Sequence, residues 1–215
     1  MEAYPGDAMP QSPFDLHPSV AYVQSVIDNL PAKTGKDLAA WLKVAKQGPA
    51  TSKELTAWLK AQGLGGTQAG LVAERALAKP GHGFNDTPEG YLAAAPGYVD
   101  AQYVGKKAAL RPLFDAVLAW ARKELKGVKV CPCETIVPLY RDHVIAQLKP
   151  ATQTRVDLGL ALGDPAALAD PTGRLVDTGG YAKKDRITVR IELKTPEDFD
   201  AEARGWLRRA WERDA

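Results

Sequence analysis

Apolar residues set the first structural prediction. Leu38, Trp41 and Leu42, and again Leu55, Trp58 and Leu59, fall at i, i+3 and i+4, the spacing of one helical face. The surrounding stretches, Lys36-Asp37-Leu38-Ala39-Ala40-Trp41-Leu42-Lys43 and Lys53-Glu54-Leu55-Thr56-Ala57-Trp58-Leu59-Lys60, are near-copies. They predict two short helices presenting the same apolar face. Ahead of them, Pro18 opens a helix carrying Val20, Val23, Ile27 and Leu30, which Pro31 ends. Thr34 with Asp37, and Thr51 with Glu54, have capping-box spacing. Gly48-Pro49 stops the first copy, and Gly63, Gly65 and Gly66 stop the second. Thr67 is then placed to cap a fourth helix with Leu71, Val72, Ala76 and Leu77. None of these helices is long enough to persist alone, so they must share a core, with the Trp41 and Trp58 faces as its nucleus.

Period-two patterning dominates the second half. After a helix near 104–126, with Leu110, Leu113, Phe114, Val117, Leu118, Ala121 and Leu125 as its stripe, strands are predicted near 128–133 and 135–141. Val144, Ala146 and Leu148 alternate in the next, Val156, Leu158, Leu160 and Leu162 in another, and Ile187, Val189, Ile191 and Leu193 in the last. A loop over 163–184 precedes that last strand. Thr195-Pro196-Glu197-Asp198 starts a terminal helix with Phe199, Ala203, Trp206, Leu207 and Ala210 on one face. The fold class expected is α+β: a small N-terminal four-helix unit, then an antiparallel meander sheet flanked by an N-terminal and a C-terminal helix that cover one face. The expected divisions are a flexible arm at 1–16, a helical domain at 17–79, a Pro/Gly-rich linker at 80–98 and an α+β domain at 99–215.

Composition changes this picture little. The chain has 215 residues, 45% hydrophobic and 25% charged, with a formal net charge of +2, an ordinary globular balance that gives no strong argument for a nucleic-acid or membrane-surface partner. No apolar run approaches the ~18 residues of a membrane span, and the N-terminus has no signal-peptide core. Cys131 and Cys133 form no disulfide framework, so the expected setting is reducing and cytoplasmic. Their spacing is too short for a structural zinc pair, and strand alternation puts both in the core. No cofactor or metal is expected.

The outward face of the sheet carries the candidate chemistry. Alternation puts Arg155, Asp157, Gly159 and Ala161 opposite the core, together with Arg186, Thr188, Arg190 and Glu192, and with His143, Gln147 and Lys149. Arg155, Arg186, Arg190, Lys149 and His143 are the candidate binding residues, a shallow platform for phosphate or carboxylate. The alternative is a solvated face of Arg/Asp and Arg/Glu cross-strand pairs. Asp177-Thr178-Gly179 matches the triplet of aspartic proteases, but one copy supplies one carboxylate, so only a homodimer would complete the pair, and a turn explains it better. The serines lie outside any G-x-S-x-G elbow, and no phosphate-binding glycine loop occurs. Gly81-His82-Gly83 reads as linker.

Thr34-Gly35-Lys36-Asp37-Leu38-Ala39-Ala40-Trp41, with Ala57-Trp58-Leu59-Lys60 and Gly63-Leu64-Gly65, resembles the bacterial domain of unknown function 4287. The helix at 104–126, Arg155-Val156-Asp157-Leu158-Gly159-Leu160 and Arg186-Ile187-Thr188-Val189-Arg190 resemble the domain of unknown function 5655. The resemblance implies an architecture and no activity. More loosely, the second domain is similar to small α+β proteins with a suggested iron-carrier role. That role would need an acidic cluster, and Glu197, Asp198, Asp200 and Glu202 are better explained as complementing a helix dipole. The function expected is non-enzymatic binding of a small anionic ligand or a protein partner, a second copy of the chain among the candidates. The alternatives are nucleic-acid binding through the helical domain, with Thr67, Gln68 and Arg75 on the third helix of a helix-turn-helix, and an enzyme with an inter-domain site using His82, His143 or Asp177.

Overall fold

The computed structural model describes residues 12–78 and 87–214; Gly81-His82-Gly83 and most of the expected arm lie outside the described residues. The chain divides into two compact units, Leu16–Tyr91 and a second that begins at Leu92 and also takes in Ser12–Asp15.

The helical unit contains α1 (Pro18–Asp28), α2 (Leu30–Thr34), α3 (Leu38–Ala45), α4 (Ser52–Ala61) and α5 (Gly66–Leu77). The four predicted helices are present. Pro31 does not terminate the first: the chain ends α1 at Asp28, and Pro31 sits in the first turn of the short α2, where its missing N–H costs nothing. Asp37 caps α3 by accepting from the Ala40 N–H at 2.7 Å. Thr34, expected as the cap, instead accepts from the indole N–H of Trp41 at 2.7 Å and donates to Leu30 O at 2.8 Å. Thr51 caps α4 as expected, and Gly65 rather than Thr67 precedes α5.

The two copies are used differently. In α3, Trp41 is buried and its leucines are half-buried; in α4, Leu55 and Leu59 are fully buried and Trp58 is half-buried. Gly48 explains part of this. A Cβ there would lie 2.6 Å from Leu55 Cδ1 and 2.8 Å from Trp58 Cε3, so α4 lies directly against the chain leaving α3. The core is Leu30, Trp41, Ala45, Leu55, Leu59 and Leu64 with Ala69, Val72 and Ala73 of α5.

The second unit holds a six-stranded antiparallel sheet of β1 (Lys129–Val130), β2 (Val137–Tyr140), β3 (Val144–Lys149), β4 (Val156–Leu160), β5 (Val176–Asp177) and β6 (Val189–Leu193), in the order β1-β2-β3-β4-β6-β5. The meander is as expected through β4. The expected loop at 163–184 contains the edge strand β5, too short for alternation to reveal. Register pairs Leu158 with Ile191 and Leu148 with Leu158 on the core face, and Asp157 with Glu192 and Gly159 with Arg190 on the other.

Two helical expectations change. The predicted 104–126 helix is a 3-10 turn, Gly105–Leu110, followed by α7 (Arg111–Glu124). Pro112 has no N–H to continue an α-ladder, so α7 starts at its own first turn. Part of the expected linker is helical: α6 (Pro88–Gln102) carries Pro96 inside it. Ala95 and Val99, one turn apart, are fully buried, and that packing outweighs the breaker signal. The predicted stripes of α7 and of α8 (Ala201–Arg213) are all buried, and Trp120 meets Phe199 edge to face at 5.5 Å between ring centroids. Ser12–Asp15 are not loose. Phe14 is buried, Asp15 N–H donates to Val130 O, and Val130 N–H donates to the Asp15 carboxylate, which prolongs the ladder beside β1. Cys131 is fully buried and Cys133 half-buried, and neither forms a disulfide. Among the described residues, no helix is long and apolar enough to cross a membrane.

Candidate functional site

The five candidate residues do not form one platform; the fold sends them to three places. Arg155 and Arg190 stay together on the outward sheet face because β4 and β6 are paired there. Arg155 lies 2.8 Å from both Asp157 Oδ1 and Glu192 Oε1, and Arg190 lies 3.0 Å from the same Glu192 oxygen and 3.4 Å from Asp157 Oδ2. Two cations thus alternate with two carboxylates in a closed, charge-neutral lattice. Hydrogen bonds from Arg190 and the nearby charge of Arg155 hold the Glu192 carboxyl below its ordinary range. Gly159 adds no donor, and Ile187 covers it: a Cβ on Gly159 would lie 2.7 Å from Ile187 Cγ2. This is the cross-strand pairing alternative rather than an open anion platform.

His143 and Arg186 are not on that face. His143 sits in the β2–β3 turn, and Arg186 precedes β6. Both converge on Asp214, the residue that follows α8. Asp214 Oδ2 accepts from the backbone N–H groups of Asp142 at 3.0 Å and His143 at 2.7 Å, while Oδ1 lies 3.1 Å from His143 Nδ1 and 2.6 Å from Arg186 Nη2. A carboxylate only accepts, so the His143 Nδ1 carries the proton. Burial alone would raise the Asp214 pKa, but the His143 N–H and imidazole and the Arg186 charge together hold it below the usual carboxylate range.

Two adjoining clefts open beside this corner, of about 390 and 550 Å³, sharing Ala161, Arg186 and Arg213. Lys184, Thr188 and Tyr181 line the larger. Arg186 donates from Nε to Val144 O, and Arg213 and Lys184 make no ion pair among the described residues. Lys184 is the one non-glycine residue with positive φ among the described residues, at 60°. Gly163, at φ 78°, leaves room for the Arg213 guanidinium; a Cβ there would sit 2.6 Å from its Nη2. Thr188 is 2% exposed, and its Oγ1 has no hydrogen-bond partner. Buried hydroxyls are nearly always bonded, so an orphan in a cation-lined cleft stands out. Alternation placed Thr188 on the face opposite the core, but no sequence signal marks it as unpaired.

Lys149 occupies the third place, a separate cleft with Lys106 and Lys107. The remaining candidate chemistry is structural. Asp177 accepts from the Gly179 N–H at 2.7 Å, closing its own turn. Asp198 accepts from the Lys194 and Thr195 N–H groups, and Asp200 caps α8 through Ala203 N–H and pairs with Arg174. Among the described residues, no group of three or more His, Cys, Asp or Glu side chains is arranged to hold a metal ion. In α5, Arg75 is half-buried and Ala69, Val72 and Ala73 face the core, which leaves little to read a base edge.

Residues 99–214 match the domain of unknown function DUF5655, and residues 22–69 match the domain of unknown function DUF4287. No curated protein and no solved structure matches the chain. The first match spans more than half of the chain and takes in β1–β6, α7, α8 and all three candidate places, so the protein belongs to the DUF5655 family, with a DUF4287 domain preceding it.

Proposed function

We propose that this is a cytoplasmic binding protein whose α+β unit takes a small phosphate- or carboxylate-bearing ligand in the cleft around Thr188. The single observation that carries the reading is the buried, unpartnered Thr188 hydroxyl in a cleft lined by Lys184, Arg186 and Arg213 against one acid, Asp185. A hydroxyl left without a partner costs about 1–3 kcal/mol, and an anion oxygen would remove that cost. Arg186 is already oriented by Asp214, which favours a ligand that needs a fixed donor. The two cysteines, Cys131 and Cys133, form no disulfide, which supports a reducing setting. The sheet-face lattice of Arg155 and Arg190 serves in this reading as scaffold, since its charges are balanced.

The test uses Thr188→Val, which keeps shape and removes the hydroxyl. Binding of inorganic phosphate and of small carboxylates is followed by amide chemical shifts in the full chain. The variant is expected to be as stable as the parent or more so, and to lose binding; Arg213→Ala is expected to weaken it. Unchanged affinity in a folded Thr188→Val protein would refute the site.

A further inference from the structure

A second cleft, of about 710 Å³, lies where the end of α6 and the 3-10 turn meet the β1–β2 loop and the β3–β4 turn. Its basic members are Lys106, Lys107 and Lys149, against one acid, Glu134. Lys107 donates to Pro150 O at 2.6 Å; Lys106 and Lys149 make no ion pair among the described residues. Val104, 64% exposed, adds an apolar wall beside Pro150 and Ala151. A cleft of this size suits a nucleotide-sized ligand.

The distinguishing group is Gln102, 7% exposed and lining this cleft. Its Nε2 lies 2.8 Å from Cys133 O and 3.5 Å from Ile136 O, two carbonyls that only accept. The amide nitrogen must therefore point at them, and the opposite flip would set oxygen against oxygen. The carbonyl Oε1 is left buried without a partner. Lysines call for an anion, but an orphan carbonyl calls for a hydrogen-bond donor. A simple anion meets the first demand and not the second.

We infer that this cleft binds a small phosphate ester that also carries an N–H or O–H donor, as a nucleoside monophosphate or a sugar phosphate does, with Lys106 and Lys149 on the phosphate and Gln102 Oε1 on the donor. The site stands apart from the Thr188 cleft and does not depend on it. Gln102 here discriminates, because a ligand lacking the donor leaves its carbonyl unpaired.

The test is calorimetric titration of the full chain with AMP, ribose 5-phosphate, adenosine and inorganic phosphate. AMP or ribose 5-phosphate is expected to bind at least tenfold more tightly than inorganic phosphate or adenosine. AMP ahead of the sugar phosphate assigns the donor to the base; equality assigns it to a hydroxyl. Lys149→Met, at an exposed position, is expected to weaken binding about tenfold and to flatten its salt dependence. Gln102→Leu is expected to bring AMP down to the affinity of phosphate. Binding that survives Thr188→Val and falls in Lys149→Met belongs to this cleft; the reverse pattern overturns the assignment. So does any of three results in the Thr188→Val background: phosphate binding as well as both esters, the absence of heat at millimolar ligand, or an affinity that Lys149→Met leaves unchanged.

Discussion

Asp214 joins three parts of the chain, and its removal gives the sharpest prediction. In Asp214→Ala the β2–β3 turn loses the acceptor of two backbone N–H groups, and His143 and Arg186 lose their shared carboxylate. A hydrogen bond to a charged group is worth about 1.5–3 kcal/mol when the partner stays buried. Here the Arg186 and His143 side chains are 46% and 65% exposed, so both rehydrate when released. That lowers each of those contacts to about 1 kcal/mol. The two turn amides add about 0.5 kcal/mol apiece, giving a total near 3 kcal/mol for Ala. Asp214→Asn keeps one oxygen for the turn amides and loses the charge, for about 2 kcal/mol.

Amide hydrogen exchange reads this locally, which matters in a chain of two compact units. At about 1.4 kcal/mol per tenfold, the Asp142 and His143 amides should exchange roughly a hundredfold faster in the Ala variant. The pH dependence has a definite sign. The folded pKa of Asp214 lies below its ordinary value, so its contribution is full above about pH 4 and fades as pH falls through the folded pKa. The gap between the parent and Asp214→Asn should therefore close under acid. Parental exchange rates at Asp142 and His143 in Asp214→Ala at pH 6–7 would refute the account, as would a gap that widens on acidification.

Two further outcomes are expected. Although the helical copies are near-identical, Trp41→Ala should cost about 3–5 kcal/mol and Trp58→Ala roughly half that, because Trp41 is buried and hydrogen-bonded to Thr34 while Trp58 is half-buried; equal losses in urea denaturation would contradict the asymmetry. Burial, with minor contributions from neighbouring charges, pushes the Cys131 thiol up to about 12, and burial also raises Cys133. Iodoacetamide at pH 8 should thus label neither thiol quickly in the native protein and both in urea, with Cys133 first on refolding to partial denaturant; rapid native labelling of Cys131 would be the contrary result.

Most of the α+β unit was readable because its core positions repeat. Leu158, Ile191 and Leu148 alternate with polar neighbours, and a strand has only two faces, so parity alone assigns each side chain. The stripes of α7 and α8 follow from 3.6-residue spacing in the same way. Reading failed where a local signal competed with packing. Pro88, Gly90, Pro96 and Gly97 argue for a linker, yet burial of Ala95 and Val99 holds α6 together. The repeat in the helical unit misled in the opposite sense: identical apolar spacing implied identical burial, but the chain near Gly48 packs on one copy only.

The candidate sites show why charge on a face is a poor guide to binding. Parity correctly kept Arg155 and Arg190 together, but register sets Asp157 and Glu192 beside them, and the four charges neutralise one another. Parity also grouped His143 and Arg186 with them, whereas a carboxylate 71 positions beyond His143 draws both to the end of α8. What sets a ligand site apart is demand that the protein leaves unmet, and that appears only once every buried donor and acceptor has been matched. Thr188 and Gln102 carry such unmet groups beside cations that make no ion pair among the described residues, Lys184 and Arg213 in one cleft and Lys106 and Lys149 in the other. Threonine just before a strand and glutamine at a helix end are common, so their one-dimensional context says nothing. Their orphaned oxygens, more than the arginine count, are what make these two clefts the places to look for a ligand.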